Sequence, residues 1–186
     1  MAFVAEAAGC TKPTLYRHFG GKDALFRAAL EREVAALERH LFDAYQAGAG
    51  LPLGDQIRNA TTALFDYATA QPAGFRLLFD ERQADPHTEI RARLLQAVRD
   101  RIAGVVRAYA DQTGRPLGAS ADVLAAMMVA LVIDGARQAL LVSHVDPAAA
   151  ARLACGLLDA AVRGVDPGLL AALDRAAGAS PPPVGR

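Results

Sequence analysis

The chain has 186 residues, 53 % hydrophobic and 22 % charged, which suits one or two domains of a helical globular protein with a real core. Lys and Arg number 20 and Asp and Glu number 20, so net charge gives no bulk pull toward nucleic acid, and any basic surface must be local. No signal peptide is visible, no stretch reads as apolar and long enough to cross a membrane, and Cys10 and Cys155 lie far apart in apolar helical contexts, which predicts buried reduced thiols in a cytoplasm rather than a disulfide framework.

The first informative stretch is Val4 to Leu25, which reads as two short helices joined by a tight turn and followed at once by a third. Val4, Ala5 and Ala8 give the first helix an apolar face, and Gly9 falls where the chain must turn sharply through left-handed backbone angles. Thr11 is the N-cap of the second helix and Pro13 sits in its first turn, so the Thr11 hydroxyl should accept from the Thr14 N–H. Leu15 and Phe19, four apart, hold this helix to its neighbours and leave Lys12, Thr14, Tyr16, Arg17 and His18 facing outward or sideways. Gly20-Gly21 ends it. A short helix with Lys, Thr, Tyr and Arg near its start suits entry into a DNA major groove, N-terminus first. Lys22 opens the third helix against the helix dipole, an arrangement a bound phosphate would reverse; the plainer reading is a solvated helix start compensated by Asp23. Between Cys10 and Arg27, Lys12, Arg17, Lys22 and Arg27 face only Asp23 as an acid.

This stretch resembles the helix-turn-helix of tetracycline-repressor (TetR) family transcription regulators, through Ala5, Ala8-Gly9, Thr11-Lys12, Thr14-Leu15-Tyr16, His18-Phe19, Lys22 and Leu25 without a gap. Pro13 stands where the family often has glycine, and Cys10 where it often has valine. The resemblance implies an all-α protein: an N-terminal three-helix-type helix-turn-helix plus a C-terminal helical bundle for ligand binding and dimerisation. It assigns DNA contacts to Thr11, Lys12, Thr14, Tyr16, Arg17, His18 and Lys22. Family members carry a further helix before the motif, and here the chain begins inside the second. The first helix is therefore expected to be absent, leaving Phe3, Ala7 and parts of Leu15 and Phe19 without cover, residues 1 to about 20 mobile, and DNA affinity poor until that helix is restored.

From Lys22 to about Ala47 one long helix is predicted, because Phe26, Leu30, Val34, Leu37, Leu41 and Tyr45 recur on one helical face. It links a DNA-binding domain, 1–47, to a helical ligand-binding and dimerisation domain, 48–178, with a disordered Pro-rich tail at 179–186. In the second domain Asp55 to Ala70 is helical with Ile57, Leu64, Phe65 and Ala68 inward, and Pro72 opens a short helix with Phe75, Leu78 and Phe79 on one side and Arg76, Asp80, Glu81 and Arg82 on the other. Asp85-Pro86 starts a helix to Thr113, Ser120 caps one running to about Val145, Asp146-Pro147 starts one to Arg163, and a last short helix follows near Leu169 to Ala176.

The helix from Ser120 is apolar nearly all round and needs partners on both sides. Leu124, Leu131 and Gly135 on it, with Leu153, Gly156, Leu157 and Ala160 on the next, form either an intramolecular core or a homodimer interface; the resemblance adds that family members dimerise through a four-helix bundle of their last two long helices. Asp134 in an apolar run needs a partner, and Arg137 reaches it; one or both also suit a polar anchor in a ligand pocket. Phe65, Phe75, Phe79, Met127 and Met128 are either walls of that pocket or plain core.

No catalytic constellation is found: Ser143, His144 and Asp146 cannot align as nucleophile and base on one helix. The four histidines lack ligand spacing, so no metal and no cofactor is expected. The resemblance implies a cytoplasmic homodimeric repressor on a palindromic operator of double-stranded DNA, released when a small apolar or amphipathic effector tilts the long helix. The alternatives are a dimerisation or ligand-binding module without competent DNA binding, and a small-molecule enzyme, for which no acid, base or nucleophile set exists.

Overall fold

The computed structural model describes residues 1–80 and 87–178, and every regular element among them is helical. The elements are α1 (Ala2–Ala7), α2 (Lys12–Phe19), α3 (Lys22–Ala47), α4 (Leu53–Ala70), α5 (Pro72–Phe79), α6 (Thr88–Gln112), α7 (Ala119–Arg137), α8 (Pro147–Gly164) and α9 (Pro167–Gly178). A π-helical turn, Gln138–Val142, continues α7. The expected Asp85-Pro86 helix start, the charges Glu81 and Arg82, and the tail 179–186 lie outside the described residues.

The α3 helix is the axis of the molecule. Its N-terminal turns pack on α2, and the rest packs on α4, α5 and α6. Leu30, Leu37 and Leu41 on its predicted face are buried, as is Glu33, which the apolar periodicity did not single out. Glu33 is held by Arg32 Nη2 at 2.7 Å and by the Tyr67 hydroxyl, which donates to Oε2 at 3.1 Å. Burial, and then Glu33, push the Tyr67 phenol well above its usual range. Gly74 in α5 makes room for this group: a Cβ there would stand 2.2 Å from Glu33 Oε2. The main core gathers Leu30, Leu37, Leu64, Phe75, Leu78 and Leu94 from four helices.

The α6 and α7 helices pair along their length, and α4 lies against both α3 and α8. Two sequence expectations fail on α7. Ser120 is not its N-cap; Gly118 is, and Ser120 lies inside the first turn. The cap comes from α9: Asp174 accepts from Gly118 N at 3.1 Å, Ser120 N at 2.7 Å and Ser120 Oγ at 2.8 Å. These bonds, the Ser120 backbone N–H first, hold the Asp174 carboxyl below its ordinary value. Nor does an α-helix run on to Val145. The π-turn ends it, and His144 takes φ +50° with its ring Nδ1 3.1 Å from the Leu140 carbonyl.

Two further expectations need correction. Ala119–Val142, 24 residues holding an 18-residue window of mean hydropathy 1.7, is long and apolar enough to cross a membrane by length and composition, although no such stretch was expected. Cys10 and Cys155 are half-buried rather than buried, and both are free thiols.

Candidate nucleic-acid interface and apolar cavity

The N-terminal unit is built to present α2. Gly9 turns the chain at φ +62° after α1. The Thr11 side chain accepts from Thr14 N at 3.3 Å, and its hydroxyl lies 2.9 Å from the Thr14 hydroxyl, so the start of α2 is closed as its sequence required. Gly20 ends it at φ +80°, donating to the Tyr16 carbonyl at 2.8 Å. Leu15 is buried, Phe19 half-buried with the His18 ring edge-on at 4.9 Å, and Lys12, Tyr16, Arg17 and His18 are exposed.

The charges here sort into paired and unpaired. Arg27 is spent on Glu31, at 2.9 Å, which raises the guanidinium pKa. Asp23, the expected compensation for Lys22, turns to the helical body: its Oδ1 lies 3.2 Å from Nε2 of buried His87, whose ring stacks on Phe26 at 6.0 Å. Lys12, Arg17 and Lys22 are exposed and form no ion pair among the described residues. Three unpaired cations, at the start of α2, in its last turn and at the start of α3, are groups that attract phosphate oxygens.

Beneath α3 lies an apolar cavity of about 60 Å³, walled by α3, α4, α6 and α7. Leu37, Leu41 and Tyr45 line it from one side and Leu94, Val98 and Ile102 from the other, with Thr61 adding a hydroxyl. Burial pushes the Tyr45 phenol up to about 12, against the pull of Arg101, whose guanidinium lies 5.5 Å over the ring. Phe79, Leu95, Val129 and Ile133 also border a second cleft of about 250 Å³. That cleft holds Arg91, Arg99 and Arg137 with Asp80 and Asp134.

The expected pocket residues are thus divided. Phe79 and Met128 line the cavity. Phe75 is closed core, its ring 5.0 Å from that of Phe79. Phe65 is buried and borders a separate groove between α4 and α8. Met127 is 64 % exposed and points away from the cavity, correcting its placement as a pocket wall. Asp134 is exposed rather than buried, and Arg137 reaches it at 3.5 Å from the cleft. The α3 face, Tyr45 and Thr61 were missed as lining because their period signals packing alone. Arg91, Leu95 and Arg99, four apart on α6, were a legible cue: two cations flanking a leucine on a buried face.

Of the expected interface residues, Leu131 is half-buried and packs against the core. Leu124 is half-buried, and Gly135 is exposed. On α8, Leu153 and Leu157 are 64 % and 49 % exposed, with Gly156 and Ala160 also open. Met127 on α7 is likewise 64 % exposed.

Known proteins place this geometry. Residues 1–29 match the family described as "Bacterial regulatory proteins, tetR family". The chain is 30 % identical over 137 residues to the "HTH-type transcriptional activator FasR" of Mycolicibacterium smegmatis, an alignment covering 72 % of this chain and 59 % of that protein's length. Its fold is that of a TetR-like transcriptional regulator from Rhodococcus sp. RHA1, with a TM-score of 0.66, 24 % identity, and 87 % of this chain and 83 % of that one covered. The motif, the relative and the helical fold agree in likening this chain to the tetR family of bacterial regulatory proteins.

Proposed function

We propose that the chain is a ligand-responsive, DNA-binding transcriptional regulator acting in the cytoplasm as a homodimer. Residues 1–47 meet duplex DNA, and residues 48–178 hold a small-molecule effector and the partner copy. The observation that carries this reading is the set of exposed, unpaired cations Lys12 at the capped start of α2, Arg17 in its last turn and Lys22 at the start of α3, within the stretch that matches the family. Their number and placement suit a helix entering the major groove N-terminus first, with the Thr11–Thr14 pair and Tyr16 orienting it and His18 at its far end.

The exposed apolar side chains Met127 on α7 and Leu153 and Leu157 on α8 support pairing of two copies through these helices. A dimer matches a palindromic operator, and occupancy of a promoter-overlapping operator represses. The relative from M. smegmatis is named an activator, and the same dimer becomes one where its operator lies upstream of the promoter. The cavity supports control by an effector. Its α3 wall (Leu37, Leu41 and Tyr45) continues into the helix that carries the DNA-binding unit, so a ligand that parts α3 from α6 tilts α3 and alters the spacing of the two α2 helices.

Retention of genomic duplex fragments, followed by fluorescence anisotropy across a salt series, tests this. Lys22→Ala should weaken binding about equally on all sequences and lower the salt slope by roughly one ion per subunit. An unchanged slope removes Lys22 from the phosphate set, and no retention of any fragment at low salt overturns the reading.

A further inference from the structure

The cavity beneath α3 is a slot. Leu37 to Tyr45 on α3 and Leu94 to Ile102 on α6 each line it over eight residues, roughly 12 Å of helix. Its 60 Å³ equals about two water volumes, so it has the girth of a chain and not of a ring system. Its walls are hydrocarbon apart from the hydroxyls of Tyr45 and Thr61, and Met128 gives it one adaptable side. A guest must therefore be slender and apolar for most of its length, and its entry must spread α3 from α6.

The adjoining cleft supplies the other end. It shares Phe79, Leu95, Val129 and Ile133 with the slot, so the two spaces adjoin at these residues. Of its three arginines, Arg91 donates to the Leu77 carbonyl at 2.6 Å and Arg137 meets Asp134. Arg99 is different. A buried Nε without an acceptor is common to the three, but Arg99 alone of them makes no hydrogen bond or ion pair among the described residues. A buried guanidinium N–H left unmade is costly, and the planar fork of arginine matches the two oxygens of a carboxylate or phosphate.

We propose that the effector is an anionic amphiphile: an unbranched alkyl chain lies in the slot between α3 and α6, and its carboxylate or phosphate head rests on Arg99 in the adjoining cleft. This assignment rests on the reading that the helical body takes an effector, and it narrows that effector to one chemical class.

The test is direct binding to the full chain, without DNA, by calorimetry below micellar concentrations. The probes are decanoate, decyl phosphate, decanol and decyltrimethylammonium, on the unmodified protein, Arg99→Gln and Val98→Phe. The two anions should bind at least tenfold more tightly than decanol, and the tighter of them names the head group. Arg99→Gln should bring both to the level of decanol while leaving decanol unchanged, and Val98→Phe, which narrows the slot, should weaken all of them. Should Val98→Phe fail to fold, Arg99→Gln alone carries the decision. Equal binding of decanol and the anions, tightest binding of the cation, indifference to Arg99→Gln, or no binding of any probe overturns the assignment. If decanoate binds through Arg99 yet leaves a DNA complex intact, the site stands and the regulatory reading falls. If DNA is released by a neutral compound and by neither anion, the regulatory reading stands and the site assignment falls.

Discussion

The two ends of α3 sit in unlike surroundings. The α1 and α2 helices together bury only Ala5 and Leu15, and Phe3 is 81 % exposed. The α4 helix alone buries eight residues, Leu53 through Ala68. The first unit spends its side chains on a polar, cationic surface and has little apolar area left to hold it. The second spends its side chains on packing and has stability to share. The α3 helix joins them as one continuous element, so the body can order the motif and can also displace it.

Large-to-small substitutions break this comparison most forcefully. Phe75→Ala removes a ring that is 1 % exposed in the core and should cost about 3–5 kcal/mol, read as a fall in denaturant midpoint at constant slope. Leu15→Ala should leave the body's melting temperature unchanged, and in the unmodified chain the α1 and α2 amides should exchange faster than those of α4. If Leu15→Ala lowers the melting of the whole molecule, the two regions are one cooperative unit.

The next effect concerns assembly. In a single chain a Cβ at Gly156 meets nothing within 4 Å, so Gly156→Leu is harmless to the isolated body. Across a pair of α8 helices it overfills a close contact and should weaken dimerisation at least tenfold by sedimentation, with helicity unchanged. A dimer of undiminished affinity places the interface elsewhere.

Glycine scanning sharpens the picture within the body. Gly74→Ala drives a methyl into the buried Glu33 carboxylate and should cost about 1–3 kcal/mol. Gly104→Ala, with open space around its Cβ on an exposed helical face, should instead stabilise by about 0.5–1 kcal/mol. Equal effects at the two sites would mean that Glu33 moves aside freely.

The smallest effect is a pH dependence confined to α9. Asp174 has its folded pKa depressed, so its contribution is fully present above the ordinary carboxylate value of 3.8 and is lost as pH falls through the lowered folded value. Exchange of the α9 amides should therefore rise on acidification below that range, and Asp174→Asn should abolish the step. A step that persists in Asp174→Asn belongs to another carboxylate.

Local signals were legible where the chain answers them locally. The ends of α3, Lys22 and Ala47, follow from Gly20-Gly21 before it and Gly48 after it, and Thr11 caps α2 within three residues. The misreadings share a cause: an answer that comes from far along the chain or from the helix's angular position. Ser120 carries a cap signature, but its acceptor stands 54 residues away. Asp134 lies in an apolar run, yet helical rotation turns it outward. Met127 and Met128 are neighbours in sequence, and the roughly 100° between them puts one outside and the other in the slot. Glu33 broke an apolar stripe on α3, a signal left unread because its partners, Tyr67 and Gly74, come from α4 and α5.

The Asp174 contact also bears on how the chain is made. The α7 helix, the most apolar of the body, leaves the ribosome with the amides of Gly118 and Ser120 unsatisfied, and its acceptor follows 54 residues behind Ser120. While α8 and the first half of α9 are still being translated, the start of α7 has no lid. A nascent chain at that stage offers its greasiest helix to chaperones or to a second ribosome's product. Completion of α9 is thus the event that seals the start of α7.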